Sequence, residues 1–163
     1  MRGRSPPPGV IVNGGKGAQI AVIGAAEADQ NVQDIAFRVG SLIASEHCIL
    51  LSGGRGGVME AASRGAHEAG GLVVGILPGS EGNQYLDVTV KTQMGQARNV
   101  ILVESADAVI AVAGSYGTLS EIGIALRIGK PVFGIDTWNI PGLIPCKTPE
   151  EAVKNAVRVC LTN

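Results

Sequence analysis

Aromatic side chains are scarce in this chain, with one Trp, two Tyr and two Phe among 163 residues. Any core it builds must be aliphatic, and a hydrophobic content of 45 % supplies the material for one. Charge is sparse as well. A charged fraction of 17 % and a net charge of −1 lack the basic excess that non-specific nucleic-acid binding needs, so no nucleic-acid partner is expected. Cysteine is confined to Cys48, Cys146 and Cys160, an odd number without a C-x-x-C pair. That excludes a disulfide framework and a thiolate zinc site. No metal site is expected, since His47 and His67 have no ligand-spaced partners and read as structural or surface residues. No run approaches the ~18 apolar residues of a membrane span. Arg2 and Arg4 are followed by Pro6-Pro7-Pro8 where a signal peptide would need an apolar stretch. The expectation is a soluble cytoplasmic protein with no membrane partner.

Glycine, by contrast, is abundant. The 24 glycines are about twice the usual share and point to many tight turns between strands and helices. Residues 1–9 read as a flexible Pro-rich arm and residues 10–163 as a single Rossmann-like domain that binds a nucleotide or phosphate. Val10-Ile11-Val12 and Gln19 to Ile23 could pair through Asn13-Gly14-Gly15 as a hairpin. The apolar run Ile20 to Ile23 ends at Gly24, and Val32, Ile35, Ala36, Val39, Leu42 and Ile43 follow at helical spacing.

The unit then recurs. Strand-like Cys48 to Leu51 passes through Gly53-Gly54-Arg55-Gly56-Gly57 into a helix over Val58 to Ala69, closed by Gly70-Gly71. Leu72 to Ile76 is a third strand, and the stretch from Pro78 to Gln93 reads as a polar loop. A helical pattern from Gly95 to Ser105 precedes strand-like Ala108 to Val112, and Thr118 to Ile128 is a further helix. Val132 to Ile135 is a fifth strand and Glu150 to Leu161 a terminal helix. Continuously apolar strands alternating with helices require a sheet covered on both faces, which means a doubly wound α/β fold of five or more mostly parallel strands. Right-handed crossovers gather the glycine-rich loops on the carboxyl edge of the sheet, so a ligand site is expected there.

Familiar nucleotide motifs are missing. The first turn offers Gly24 alone instead of G-x-G-x-x-G, which excludes the usual NAD mode. Gly123 to Lys130 has the wrong spacing for a Walker loop, with Pro131 in place of Ser or Thr, and Gly114-Ser115-Tyr116-Gly117 is not the G-x-S-x-G of a nucleophile elbow. None of Lys16, Lys91, Lys130, Lys147 and Lys154 lies in a context that marks a pyridoxal phosphate site. What remains is an anion cradle. The turn Gly114, Ser115, Tyr116, Gly117, Thr118 opens a helix whose free N–H groups and dipole suit a phosphate, and Gly53, Gly54, Arg55, Gly56 and Gly57 form a second wall. Arg98 can meet the anion's charge or Glu121. Thr118-x-x-Glu121 also has the spacing of a capping box, with Thr118 as the cap and Glu121 folded back onto it.

Taken together, Gly53-Gly54-x-Gly56-Gly57-Val58-Met59-Glu60, Ala97-Arg98-Asn99 and Gly114 to Glu121 resemble the LOG-like superfamily, whose members are often mislabelled lysine decarboxylases. The resemblance spans roughly residues 19–161 and is nearest the branch of molybdenum cofactor carrier proteins. The cytokinin-activating enzymes of the superfamily carry P-G-G-x-G-T-x-x-E. This chain keeps Gly114, Gly117, Thr118 and Glu121 but has Ala113 for the proline and Ser115 for the second glycine, and the enzymes' Arg-Lys pair is Arg98-Asn99.

The resemblance implies two activities. One is a phosphoribohydrolase that splits the N-glycosidic bond of a nucleoside 5′-monophosphate into base and ribose 5-phosphate without a cofactor. Glu121 and Arg98 would then be the catalytic pair, acting on an oxocarbenium-like transition state. The alternative is a non-catalytic carrier that holds the molybdenum cofactor, a phosphorylated pterin, or a related nucleotide-like ligand. The resemblance also implies a homodimer or larger homo-oligomer. Lysine decarboxylation is not supported.

Overall fold

The computed structural model describes residues 17–162. The proposed Pro-rich arm and the first strand of the Asn13-Gly14 hairpin lie outside them.

Seven parallel strands form one sheet: β1 (Gln19–Gly24), β2 (Ile49–Ser52), β3 (Val73–Leu77), β4 (Val88–Lys91), β5 (Ala108–Val112), β6 (Val132–Ile135) and β7 (Ile144–Pro145). Five α-helices accompany them: α1 (Gln30–Ser45), α2 (Val58–Glu68), α3 (Arg98–Ser105), α4 (Tyr116–Arg127) and α5 (Pro149–Thr162). The spatial order is β4-β3-β2-β1-β5-β6-β7. The chain therefore winds outward from β1 in one direction, then returns to pair β5 against the free side of β1 and winds the other way. This is the doubly wound Rossmann-like arrangement the sequence implied.

Burial on both faces explains the unbroken apolar strands. In β1, Ile20 and Val22 enter the core beneath α1, α2 and α5, while Ala21 and Ile23 enter the core beneath α3 and α4. Each isoleucine so buried contributes roughly 1.5–3 kcal/mol relative to exposure. Helix starts are capped locally. Asp29 accepts the Val32 N–H at 2.9 Å to open α1. Ahead of α5, Thr148 accepts the Glu151 N–H at 3.1 Å while the Glu151 carboxylate reaches back to the Lys147 N–H at 2.7 Å. Among the described residues no helix is long and apolar enough to cross a membrane.

Two strands fall where the sequence shows none. β4 lies inside the stretch read as a polar loop, and β7 covers two residues. Every residue of β4 is exposed, so it lacks the apolar signature of a strand buried on both faces. The helix expected from Gly95 begins as a 3₁₀ turn over Gly95–Ala97, which places Arg98 at the first position of α3.

α1 and α2 approach closely because two glycines permit it. A Cβ on Gly40 would strike the Ala62 carbonyl, and one on Gly65 would strike the Phe37 carbonyl. Backbone atoms cannot give way as a flexible side chain can. Gly65→Ala should lower stability in urea by about 1–3 kcal/mol. Gly123→Ala, in α4 where an added Cβ meets nothing within 4 Å, should raise it by about 0.5–1 kcal/mol. Equal effects of the two substitutions on the unfolding midpoint would contradict this view of the α1–α2 contact.

Candidate functional site

The reversal of winding leaves a crevice at the carboxyl ends of β1 and β5, where neither strand is followed by a helix that crosses over the other. Two turns wall it. The first leaves β2 at Ser52, whose hydroxyl accepts the Gly54 N–H at 3.0 Å. Gly54 and Gly57 take φ of +79° and +61°, and a Cβ at Gly57 would run into the backbone of Ala25 and Ala26. The Val58 N–H bonds the Ala25 carbonyl at 3.0 Å, which ties the turn to the end of β1. Asn83 holds its outer side, donating its backbone N–H to the Gly54 carbonyl at 2.8 Å and its side-chain amide to the Arg55 carbonyl at 3.0 Å.

The second turn leaves β5 through Ala113 and Gly114, at φ of +48° and +130°. A positive φ at alanine costs roughly 1–2 kcal/mol, so the turn must be braced from outside. The Ala113 N–H donates to the Ile135 carbonyl at 2.9 Å, and the Thr137 hydroxyl donates to the Ala113 carbonyl. The Trp138 indole donates to the Ser115 carbonyl at 3.3 Å. The N-cap of α4 is Ser115, whose N–H is accepted by the Thr118 hydroxyl at 3.3 Å. This corrects the capping-box assignment: Thr118 is the third residue of the helix, and Glu121 lies a turn further in, out of reach of a cap. A Thr-x-x-Glu spacing does start a helix in this chain, but it is Thr148 to Glu151. The N–H groups of Tyr116 and Gly117 have no acceptor among the described residues.

Between the walls lies a cleft of about 510 Å³. Arg55, Arg98, Ser115, Gly117, Thr118 and Glu121 line it. Gly53 stands directly behind Arg98. Its carbonyl accepts from Nη2 at 3.4 Å, and a Cβ there would lie 2.8 Å from the same nitrogen, so any larger residue would push the guanidinium from this position. Gly54 and Gly56 shape a neighbouring depression with Asn83, and Gly57 faces another with Arg64 and Tyr85. Gly114 supplies the bend. Tyr116 does not reach the cleft; it is 81 % exposed and turns toward Trp138.

Gly24, Met59 and Pro78, from the first turn, the glycine motif and the start of the polar loop, also line it, together with Ala26 and Gln96, which carry no sequence signal. Asn99 lines it too, 2 % exposed, with Oδ1 buried and unpaired and Nδ2 at 3.5 Å from Gln96 Oε1. Its place on the cleft follows from Arg98, since both occupy the first turn of α3.

The charges are poised against burial. Glu121 is 8 % exposed, and removal from water pushes its carboxyl up to about 7 although Arg98 pulls in the opposite direction. Burial likewise pushes the Arg98 guanidinium below its usual range, with Glu121 opposing and Arg55 adding to the effect. Arg98 and Glu121 thus sense each other, yet no ion pair joins them among the described residues. Arg98 Nε is buried without a partner. An unpaired buried cation beside free N–H groups has the chemistry that suits an anion. The thiols of Cys48 and Cys160, pushed up by burial to about 12 and about 11, are no nucleophiles near neutral pH.

The fold and the place of the cleft define a Rossmann-like α/β protein with its site at the switch point of the sheet. The chain belongs to the SLOG cluster4 family, whose description matches residues 17–159. It is 51 % identical over 142 residues to an uncharacterized protein of Archaeoglobus fulgidus, covering 85 % of this chain and 94 % of that one. Its structure is similar to that of the molybdenum cofactor binding protein of Rippkaea orientalis, with 34 % identity, 90 % and 99 % of the two chains covered and a TM-score of 0.85. The Moco carrier protein of Chlamydomonas reinhardtii is similar at 30 % identity, with 90 % and 99 % covered and a TM-score of 0.83. Cytokinin riboside 5′-monophosphate phosphoribohydrolase LOG5 of Arabidopsis thaliana is 35 % identical over 80 residues, which span 45 % of this chain and 35 % of the plant enzyme.

The raised Glu121 carboxyl makes stability depend on pH. Between about 4.5 and about 7 the folded chain keeps a proton that the unfolded chain has released. Stability should therefore fall as pH rises through that window and level off above it. Glu121→Gln should remove this component, raising the urea midpoint at about pH 8 while leaving it nearly unchanged at about pH 4. A variant whose midpoint profile parallels that of the parent protein would show that Glu121 titrates normally.

Proposed function

We propose that this chain is a binding or carrier protein for a phosphorylated pterin of the molybdenum cofactor type, which it holds without turnover. The observation that carries this reading is Asn99. A neutral amide stands at the buried position beside Arg98 where the enzyme motif that the chain resembles has a lysine. The likeness to the two cofactor-binding proteins runs the full length of those chains, whereas the match to the plant hydrolase spans about a third of it.

The residues present suit such a group. The ligand phosphate would sit on the Gly117 N–H and the Thr118 end of α4, facing the Arg98 guanidinium, with Arg55 at the opposite wall. Charge, free N–H groups and a volume of about 510 Å³ suit the phosphorylated end of such a ligand. The unpaired Asn99 side chain offers amide chemistry beside that phosphate. Held this way, the phosphate gains pre-oriented donors and no residue is aimed at a bond to be broken.

A second reading, N-glycosidic cleavage of a nucleoside 5′-monophosphate, is favoured by one observation: Glu121 lines the cleft instead of folding onto its own helix. A carboxylate there could stabilise positive charge building on a ribose. Burial works against it, because a carboxyl raised to about 7 is about half protonated at neutral pH, where its negative charge is needed. Under either reading we take the active form to be a homo-oligomer in the cytoplasm.

The two are separated by isolating the protein from a host that synthesises the molybdenum cofactor. A carrier should come out with a fluorescent pterin after oxidation, approaching one equivalent per chain. The same preparation, incubated with a panel of nucleoside 5′-monophosphates, should release no base above the level of a Glu121→Ala variant. Base release by the parent protein and not by the variant, from protein that carries no pterin, would overturn the carrier reading.

A further inference from the structure

With five aromatic residues in the chain, where they go is informative. Three have evident structural partners. Phe133 is 2 % exposed in the core of the sheet, the Arg64 guanidinium covers Phe37 at 5.1 Å from its centroid, and Tyr85 packs against His67 with centroids 6.1 Å apart. The other two lie together at the surface. Tyr116 is 81 % exposed and Trp138 36 % exposed, with ring centroids 6.0 Å apart and planes tilted by 33°.

Their position is not arbitrary. Tyr116 is the first residue of α4, next to Gly117 and Ser115, which line the cleft. Trp138 hangs on the Ser115 carbonyl by its indole N–H, so the rim of the cleft and the aromatic pair share one backbone group. Trp138 also borders a further hollow of about 280 Å³ at the end of β6, with Asp136, Thr137 and Asn139 in its lining. An exposed aromatic pair gains nothing from the fold by facing water, whereas single exposed apolar side chains are unremarkable.

Resting on the phosphate-cleft reading above, we propose that Tyr116 and Trp138 are the stacking platform for the flat heteroaromatic ring of the ligand whose phosphate binds at the start of α4. Gly117 is the residue next to Tyr116, so a ligand whose phosphate sits on the Gly117 N–H and which extends out of the cleft past the Ser115 turn meets this pair. Aromatic faces suit a ring that is planar, polarisable and polar at its edge, and they tolerate different rings because every such ring has a π-face. The polar residues of the adjoining hollow, Asp136, Thr137 and Asn139, stand where the edge of the ring would emerge. The platform separates ring-bearing phosphates from simple sugar phosphates, which the N–H cradle and Arg98 alone cannot distinguish.

Calorimetric titration of the full chain with neopterin 3′-monophosphate, adenosine 5′-monophosphate and ribose 5-phosphate tests this, together with quenching of Trp138, the single tryptophan. The unaltered protein should bind a ring-bearing probe at least about tenfold more tightly than ribose 5-phosphate, with indole fluorescence quenched. Tyr116→Ala should lower affinity for that probe about 5- to 100-fold and leave affinity for ribose 5-phosphate unchanged, while Trp138→Leu, which also loses the hydrogen bond to the Ser115 carbonyl, should lower affinity for the ring-bearing probe by more than it lowers affinity for ribose 5-phosphate. Trp138→Phe should restore most of the loss, which a role confined to the Ser115 hydrogen bond would not allow. Tyr116→Ala keeps the test valid if the Trp138 variants fold poorly, since the Tyr116 side chain is mostly in water.

Equal affinity of the unaltered protein for all three probes would overturn the platform and leave the phosphate site standing. Binding of none of them would remove the phosphate reading and the platform with it. If light scattering shows either variant splitting an oligomer while ring-probe affinity is unchanged, the pair is a contact between copies and the platform is refuted.

Discussion

The pairing of β1 with β5 is the constraint on which the rest depends. Registering Ile20 to Gly24 against Ala108 to Val112 places the two central strands side by side although most of the first half of the chain separates them. Both must then be apolar on two faces, and the helices must divide, three to one side and two to the other. The same pairing leaves a gap above the ends of β1 and β5, because the chain turns away from it in opposite directions. The cleft is the consequence of that gap.

What fills the gap follows from two electrostatic facts. α4 begins at the gap and delivers the positive end of its dipole there. α3 begins beside it and carries Arg98 in its first position, where a cation is opposed by its own helix and gains no stability from the dipole. Gly53, with no Cβ, leaves that guanidinium undisturbed where it lies, and Glu121 is close enough to moderate it without forming an ion pair. The folded protein thus holds a partly desolvated positive site open, a cost that the phosphate of the proposed ligand would relieve. The strained Ala113-Gly114 turn is held in place by Thr137 and Trp138 from the neighbouring loop, so the segment after β6 serves the site as well as the sheet.

How much of this could be read from the sequence differs by element, for physical reasons. β1, β2, β3, β5 and β6 announce themselves because double-faced burial demands unbroken apolar runs, and the two glycine turns follow because their positive φ angles and close approaches exclude most side chains. β4 is silent. It is an edge strand exposed on both faces, so Val88-Thr89-Val90-Lys91 is under no demand to be apolar throughout. The capping assignment failed because Thr-x-x-Glu spacing recurs: at Thr148 it starts a helix, while at Thr118 the chain had already entered one at Tyr116, with Ser115 in the β region as its cap. Ala26 and Gln96 reach the cleft through side-chain directions that no spacing encodes. Trp138, one aromatic in a loop, becomes meaningful only when the fold brings Tyr116 beside it.

The central claim is that the start of α4 and Arg98 together form the phosphate site. A crystal structure of the protein soaked with neopterin 3′-monophosphate tests it most directly. The account predicts phosphate oxygens within about 3 Å of the Gly117 N–H and of the Arg98 guanidinium. A phosphate bound instead at the depression beside Arg64 and Tyr85, with the cleft between Arg55 and Gly117 holding only water, would contradict it.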